Sequence, residues 1–417
     1  MEIKVSIIIP VYNAEETLCK TLESAMAQTV YPKEIICIDD GSTDHSLKIL
    51  ETYAEKHEYI SIIRQENSGP GIARNKGLEI AKGQYVCFLD ADDYYIDCRA
   101  LDKMVEACKQ NHVKICGSFR QMYNTESGKT TKTKLHRGAC IDKPDGVLRY
   151  FADLQNDFYY QSYIFERKML EENHIIFPNY RRYQDPPFFL RAMLQAEKFW
   201  VMPVELYCFR KNTSQTLLKK MRMADCLKGM RDNFRLAKEY HLKRLQKQLL
   251  YRIENNYLEM VLNDEDDEIQ GILGEIGSML SQGYEKTVLI YYIAALRELR
   301  RKNYDISEYC KAKNMQEIIL YGLGGMAKVF FWALKDSEIK ILYGVDQSAS
   351  SFYDIEIISK YECIDKNAVI VVTPLNEAGR SIAENLIADN FKNVILLSDL
   401  IDNMVEEASI VLPKLQT

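Results

Sequence analysis

The sequence lacks several features, and each absence excludes a class of protein. Its 417 residues include eleven cysteines but no Cys-x-x-Cys pair, which argues against zinc-binding and redox motifs of that kind. Cys37, Cys87 and Cys116 lie within apolar stretches. We therefore predict reduced thiols in the core of a cytoplasmic protein rather than disulfides or metal ligands.

Long apolar runs and an excess of basic residues are also missing. No run approaches the roughly 20 residues that a membrane-spanning helix requires. A predicted strand begins within the first few residues, so we expect no cleavable signal peptide. The net charge is −6, which gives no indication of a nucleic-acid partner. The length predicts two or three domains.

The most informative stretch is a strand that ends in acidic residues. The apolar run Tyr85–Leu89 predicts a buried strand, and Asp90, Asp92 and Asp93 follow it. Open α/β sheets bind ligands at the carboxyl ends of their strands. Mg²⁺ prefers oxygen ligands and takes one or two carboxylates together with substrate phosphates. By itself, such an acidic triplet is more typical of a polar loop or a helix cap.

Three other blocks accompany this strand: residues 5–13 (VSIIIPVYN), 34–44 (EIICIDDGSTD) and 67–77 (NSGPGIARNKG). In this order and spacing, the four blocks resemble glycosyltransferase family 2 with a GT-A fold, over roughly the first half of the chain. Four linked blocks are more specific than one motif. The resemblance implies inverting transfer of a sugar from a nucleoside diphosphate donor, assisted by Mg²⁺ or Mn²⁺.

The resemblance also implies roles at the nucleotide. Pro10 and Tyr12 would flank the base, and Asp39 would accept a hydrogen bond from a uracil-type ring. Arg74 would reach the base or the phosphates. Each residue has a structural alternative: Tyr12 as a core aromatic, Asp39 as a turn former, and Arg74 as a solvated helix residue.

Further residues would handle the diphosphate. Asp92 would hold the metal, and Asp90 would contact the ribose or the metal shell. Residues 205–216 resemble the strand and loop that close over the diphosphate, where Arg210 would neutralise the leaving phosphates. Some relatives use a His on the metal two residues after this Arg, and the position is Asn212 here, a weaker ligand. A solvated basic loop is an equal alternative for Arg210.

An inverting displacement needs a base opposite the leaving group. Asp185 begins an apolar helix where the family carries Glu-Asp, and it matches the second acid of that pair. Gln184 replaces the first acid, which departs from the family pattern. The structural alternative for Asp185 is helix N-capping.

The predicted fold is α/β, with a GT-A catalytic domain in residues 1–216 and a helical region in 217–312. Residues 209–252 carry thirteen Lys and Arg but three acids, and residues 253–285 carry nine acids and no Lys or Arg. These segments are either helices that pair through opposite charge or a basic face for peripheral docking on anionic lipid at the inner membrane surface.

Residues 313–417 resemble a small Rossmann-like domain. Gly322 and Gly324 follow a predicted strand, and Asp346 ends the next one, as in a dinucleotide fingerprint. The segment is too short for a two-halved dinucleotide fold, which argues against hydride transfer. Nucleotide binding, scaffolding and homo-oligomerisation remain alternatives for it.

We therefore predict a non-processive transferase that moves one sugar from a UDP-sugar to a hydroxyl of a glycan or lipid-linked glycan, in capsule, cell-wall or other surface polysaccharide synthesis. Neither the Gln-x-x-Arg-Trp motif nor the membrane spans of processive members are present. The alternative is a degenerate regulatory or scaffold protein that binds a sugar nucleotide, as Gln184 and Asn212 would suggest. The donor sugar, the acceptor, the linkage and the oligomeric state do not follow from the sequence.

Overall fold

The computed structural model describes residues 2–133, 145–211, 223–253, 257–258, 261, 267–280, 287–335, 337–359 and 364–410. The chain forms two compact units, Met1–Leu245 and Gln246–Thr417. The boundary falls inside the predicted helical region 217–312, and helix α9 (Lys243–Arg252) contains it.

The first unit alternates strands and helices along its first half, as the sequence predicts. Its elements are β1 Val5–Val11, α1 Leu18–Met26, β2 Lys33–Asp39, α2 Ser46–Ala54, β3 Ile60–Arg64, α3 Pro70–Ile80, β4 Tyr85–Phe88, β5 Tyr94–Tyr95, α4 Ala100–Gln110, β6 Ile115–Asn124, β7 Thr130–Thr133, β8 Val147–Tyr150, α5 Phe151–Leu154, β9 Tyr163–Glu166, α6 Arg167–Glu172, α7 Asp185–Ala196, β10 Lys198–Lys211 and α8 Met223–Glu239.

These strands form one mixed sheet in the order β3-β2-β1-β4-β9-β6-β10-β5, with β7 on β6 and β8 on β10. The pairs among β1, β2, β3 and β4 are parallel, whereas β9 runs antiparallel to β4 and β6. Every residue of β1 is buried, as expected for a parallel strand that is covered on both faces. The parallel strands bring their carboxyl ends to one edge of the sheet.

Close packing fixes the elements that meet at this edge. A Cβ atom on Gly77 of α3 would lie 2.5 Å from Cγ2 of Ile8, so only glycine allows α3 to approach β1 this closely. Phe88 at the end of β4 packs edge-on against Phe177 and Phe188, and those two rings stack with centroids 3.9 Å apart. Because Phe188 belongs to α7, this aromatic cluster sets α7 against β4.

The second unit contains helices and a small parallel sheet. Its elements are α10 Asp267–Leu280, α11 Thr287–Arg301, α12 Ile306–Ala312, β11 Glu317–Tyr321, α13 Gly325–Ala333, β12 Lys340–Val345, β13 Ile357–Ile358, β14 Val369–Val372, α14 Asn376–Ala388, β15 Asn393–Leu396 and α15 Leu397–Glu407. The strand order is β13-β12-β11-β14-β15. This is the 3-2-1-4-5 order of doubly wound α/β folds, so the predicted small α/β domain is confirmed. Within the described residues, no helix combines the length and apolarity needed to cross a bilayer.

Candidate active site

A cleft of about 1080 Å³ opens at the carboxyl edge of the parallel strands. It is bounded by the ends of β1 and β4 and by the loop that precedes α7. The residues lining it are Pro10, Val11, Tyr12, Asn13, Ala14, Glu15, Glu16, Thr17, Asp40, Asp44, Asn67, Gly69, Pro70, Arg74, Asp90, Ala91, Asp92, Arg181, Arg182, Tyr183, Gln184 and Asp185. Six of the site residues predicted from the sequence therefore share one cavity: Pro10, Tyr12, Arg74, Asp90, Asp92 and Asp185.

Arg74 and Asp90 form an ion pair inside the cleft. The guanidinium Nη2 of Arg74 lies 2.6 Å from Oδ1 of Asp90, and the Arg74 side chain is buried. The guanidinium also lies against the rings of Tyr160 and Phe177. Its Nε and Nη1 have no hydrogen-bond partner in the described part of the chain. Both of these nitrogen atoms are buried, so the group that the guanidinium binds within the described part of the chain is Asp90.

The three acids after β4 have different surroundings. Asp90 accepts hydrogen bonds from Arg74 at 2.6 Å and from Nε2 of Gln161 at 3.2 Å. Asp93 is fully buried and accepts hydrogen bonds from the Tyr207 hydroxyl at 2.5 Å and the Arg210 amide at 2.7 Å. Asp92 lines the cleft and forms no side-chain hydrogen bond to another described residue. Burial, and then the charge of Asp90, raise the pKa of Asp92.

Arg210 does not line the cleft, but it holds two residues that do. Its Nε donates to the main-chain oxygen of Asp92, and its Nη2 donates to that of Thr17 at 3.4 Å. The guanidinium is half-buried beside the ring of Tyr94. Its charge therefore lies next to the acidic loop, although its prediction as a phosphate ligand stays untested. Asn212, the predicted second metal ligand, lies outside the described residues.

Asp185 is the first residue of α7, and Pro186 and Pro187 follow it in the first turn. It is half-buried at the cleft wall. Burial raises its pKa to about 6, against the opposing effect of the Arg74 charge. A carboxylate with this pKa is ionised at neutral pH and is a stronger base than an ordinary aspartate. Gln184, beside it, is buried with an unpartnered Oε1 among the described atoms.

Asp40, and not the predicted Asp39, lines the cleft. Asp39 is fully buried, accepts from the Ser42 amide at 3.2 Å, and does not line the cleft. Asp40 does line it, and its carboxylate accepts from the amides of Ser68 and Gly69 at 2.8 Å each. Asp40 thus fixes the start of α3, and the contact predicted between Asp39 and a base stays a prediction.

Sequence reasoning missed several cleft residues. Arg181 and Arg182 line the cleft, and Arg181 donates from Nη1 to Oδ1 of Asn67 at 2.8 Å. Gln161 reaches Asp90 from the segment before β9. The two adjacent arginines just before Asp185 were visible in the sequence, but nothing in the sequence placed them in this cavity.

The donor groups at the acidic loop fit a divalent cation that a diphosphate completes. Among the described residues, no cluster of three or more His, Cys, Asp or Glu side chains could enclose a metal. Asp92 nevertheless offers a carboxylate without a hydrogen-bonding side-chain partner, and the charge of Asp90 beside it raises the pKa of Asp92. One carboxylate plus phosphate oxygens is a usual ligand set for Mg²⁺.

In the second unit, the residues of the predicted dinucleotide fingerprint, Gly322, Gly324 and Asp346, lie in or beside the turn that follows β11. Gly322 has φ +86°, and a Cβ there would lie 2.6 Å from Pro374, so the turn requires glycine. Gly324 precedes α13 and has open space around the place of a Cβ. The carboxylate of Asp346 accepts from the amides of Leu323, Ser348 and Ala349 at 2.8–2.9 Å, and these bonds lower its pKa. Asp346 therefore fixes this loop, while nucleotide binding there stays a prediction.

Comparison with known sequences points to one family. Residues 6–173 match the family model described as "Glycosyl transferase family 2". An uncharacterized glycosyltransferase of Haemophilus influenzae is 32% identical over 200 residues, which cover 46% of this chain and 73% of that protein. The poly(ribitol-phosphate) beta-glucosyltransferase of Bacillus spizizenii is 35% identical over 204 residues, which cover 48% of this chain but only 31% of that protein. The chain thus spans less than a third of the latter's length.

A solved structure shows the same fold. The crystal structure of S. aureus TarS 1–349 in complex with UDP-GlcNAc has a TM-score of 0.54 and 20% sequence identity. The likeness covers 75% of this chain and 92% of that one. It confirms the predicted α/β architecture.

Proposed function

Because the chain belongs to glycosyltransferase family 2, we propose that it moves a single sugar from a UDP-sugar to a hydroxyl of a glycan acceptor, with inversion at the anomeric carbon. One observation carries the proposal: Asp185, a carboxylate with a pKa of about 6, shares a cleft with the Asp90 and Asp92 pair. A single displacement requires a base for the acceptor hydroxyl and a positive charge that stabilises the leaving diphosphate. Asp185 would be the base, and a cation on the acidic loop would supply the charge.

The identity of the substrates draws on the relatives. A related poly(ribitol-phosphate) beta-glucosyltransferase supports a surface-polysaccharide acceptor, and a similar structure with bound UDP-GlcNAc supports a UDP-sugar donor. Pro10 and Tyr12 would contact the uracil base, since both line the cleft and half of Tyr12 is exposed. Arg74 lines the cleft, and its positive charge would act on the base or the phosphates of the donor.

The proposed reaction is one displacement. The acceptor oxygen forms a bond to the anomeric carbon while its proton passes to a carboxylate oxygen of Asp185. The bond from that carbon to the diphosphate breaks, and UDP leaves with the electron pair. Arg210 supplies positive charge beside the acidic loop. Asp92, and Asn212 as predicted from the sequence, would hold Mg²⁺ or Mn²⁺, which offsets charge on the diphosphate when bound.

We propose residues 1–216 as the catalytic domain, with the segment 313–417 as an accessory Rossmann-like domain. Peripheral contact with the inner face of the membrane and homo-oligomerisation remain predictions.

The test is UDP release from a panel of UDP-sugars with Mn²⁺, with Mg²⁺ and with EDTA. We expect turnover of at least one donor, loss of turnover in EDTA, and a large decrease in Asp92→Asn. Asp102→Asn is the control, because this substitution removes the same charge at an exposed position of α4. UDP binding without turnover of any donor would favour the degenerate, regulatory protein. Metal-independent turnover that survives Asp92→Asn would reject the metal site.

A further inference from the structure

We propose that Arg182 forms a subsite for a negatively charged group of the acceptor, a phosphate or phosphodiester, beside Asp185. The proposal rests on the proposed function and adds the chemical class of the acceptor. Arg182 lies three residues before Asp185, and both line the same cleft. The loop that presents the base therefore also presents a guanidinium group.

Arg182 differs from the other cations of this cleft in having no hydrogen-bond or ion-pair partner in the part of the chain that the structure describes. Arg74 is paired with Asp90 at 2.6 Å, and Arg181 donates to Asn67 at 2.8 Å. Arg182 is exposed and, within the described ranges, forms neither a hydrogen bond nor an ion pair. Since the cleft is otherwise rich in carboxylates, an unpaired guanidinium in it is available for an anionic ligand.

The backbone that carries Arg182 is held on both sides. The Tyr180 hydroxyl donates to Asp232 at 2.7 Å, and the Arg181 amide donates to Asp225 at 2.9 Å. Tyr183 packs against α8 so closely that a Cβ on Gly229 would lie 2.6 Å from it. A guanidinium on a fixed loop loses less conformational entropy on binding than one on a mobile loop.

The charges of Arg182 and Asp185 both act on one residue of α8, Cys226. The charges that act on Asp92 include those of Asp90, Arg210 and Arg74. The charges that act on the Cys226 thiol are those of Arg182, Asp225 and Asp185. Arg182 and Asp185 therefore both lie near the part of α8 that carries Cys226, while the charges of Arg74 and Asp90 also act on Asp185.

An anionic acceptor needs a cation at this place. The negative charge of the ionised Asp185 would repel a phosphate close to it. A guanidinium offsets that repulsion, and its planar donors match phosphate oxygens. A neutral glycan acceptor would leave Arg182 without this role.

The experiment measures binding of a synthetic glycerol-phosphate trimer to the full chain in saturating UDP and constant Mg²⁺, with maltotriose as the uncharged probe. We expect the trimer to bind the wild-type protein and maltotriose to bind much more weakly. Arg182→Gln should weaken trimer binding about tenfold, and Arg182→Lys should weaken it less. Arg191→Gln is the matched control, because Arg191 is exposed on α7 and is not part of the cleft lining; it should change nothing.

Three results would overturn the subsite. The trimer could bind no better than maltotriose, or Arg191→Gln could weaken it as much as Arg182→Gln, which would indicate general charge attraction. Alternatively, Arg182→Gln could raise the Kd for UDP as much as that for the trimer, which would assign Arg182 to the donor. Failure of the wild-type protein to bind UDP is a separate outcome and would reject the proposed function itself.

Discussion

The hydroxyl of Tyr207 donates a hydrogen bond of 2.5 Å to Oδ2 of Asp93, and both side chains are buried. The other carboxylate oxygen of Asp93 accepts from the Arg210 amide at 2.7 Å. Asp93 therefore joins the loop after β4 to strand β10, which carries Arg210. This third acid is structural, and its neighbour Asp92 remains free to face the cleft.

Removing the Tyr207 hydroxyl should destabilise the first unit. In Tyr207→Phe the buried Asp93 loses one of its donors, and we expect the free energy of unfolding to fall by about 1–3 kcal/mol. Urea denaturation in EDTA measures this. Tyr95→Phe is the control, because among the described residues the buried Tyr95 hydroxyl has only the weak acceptor Sγ of Cys87, at 3.3 Å. Equal losses in the two variants would contradict a special role for the Tyr207–Asp93 bond.

The effects of substituting Arg74 and Asp90 on the free energy of unfolding should be strongly coupled. Arg74→Met or Asp90→Asn leaves a partner without its counter-ion at a buried or half-buried position, which should cost about 3 kcal/mol of stability. The double variant should cost less than the sum of the two single changes. Denaturation of all four proteins gives the coupling energy. The exposed pair Lys76–Glu79 on the same helix is the control, and its coupling should be below about 1 kcal/mol. Additive losses at Arg74 and Asp90 would contradict the pairing.

Activity should depend on the ionisation of Asp185. The base must be deprotonated, so kcat/KM should rise with pH and level off above the pKa of about 6. Below that pKa it should fall about tenfold per pH unit. Asp185→Asn should lower kcat by about 10² to 10⁴-fold. If the residual activity of Asp185→Asn showed the same rise with pH, that rise would have to be assigned to another group.

The same group has a consequence for stability. Its pKa in the folded protein is raised from 3.8 to about 6, so the folded state binds more protons than the unfolded state between these values. Its contribution to stability is therefore present below about pH 4 and is lost as pH rises through 6. Asp185→Asn should remove that part of the pH dependence of unfolding.

In the second unit, Asp346→Ala should loosen the loop before α13. The carboxylate satisfies three main-chain amides, so we expect a loss of about 1–3 kcal/mol and faster hydrogen exchange at Leu323 and Ala349. Because its pKa is lowered, this stabilisation is present above about pH 4 and disappears as pH falls through the folded-state pKa. Asp354→Ala, at an exposed site, is the control. Unchanged exchange combined with weaker nucleotide binding would instead support a ribose-binding role.

Local patterns in the sequence were sufficient for the strands and for the acids at their ends. An apolar run that stops at Asp90 predicts both a buried strand and the edge at which its acids emerge. Parallel pairing then brings Pro10, Tyr12, Asp90 and Asp92 together, as the structure shows. The base candidate Asp185 was singled out by the family resemblance, and the structure places it at the start of a helix on the cleft wall.

The remaining features needed the tertiary structure. Whether Asp39 or Asp40 faces the cleft depends on a turn that the alternation of side chains does not specify. Tyr207 meets Asp93 across 114 residues of sequence, and Arg181 meets Asn67 across 114. Such pairs form because packing of distant elements sets their distance, and burial then selects which polar atoms must be satisfied. The sequence by itself determined the chemical groups at the edge of the sheet, and only the folded chain decided which of them are paired and which are free to bind a ligand.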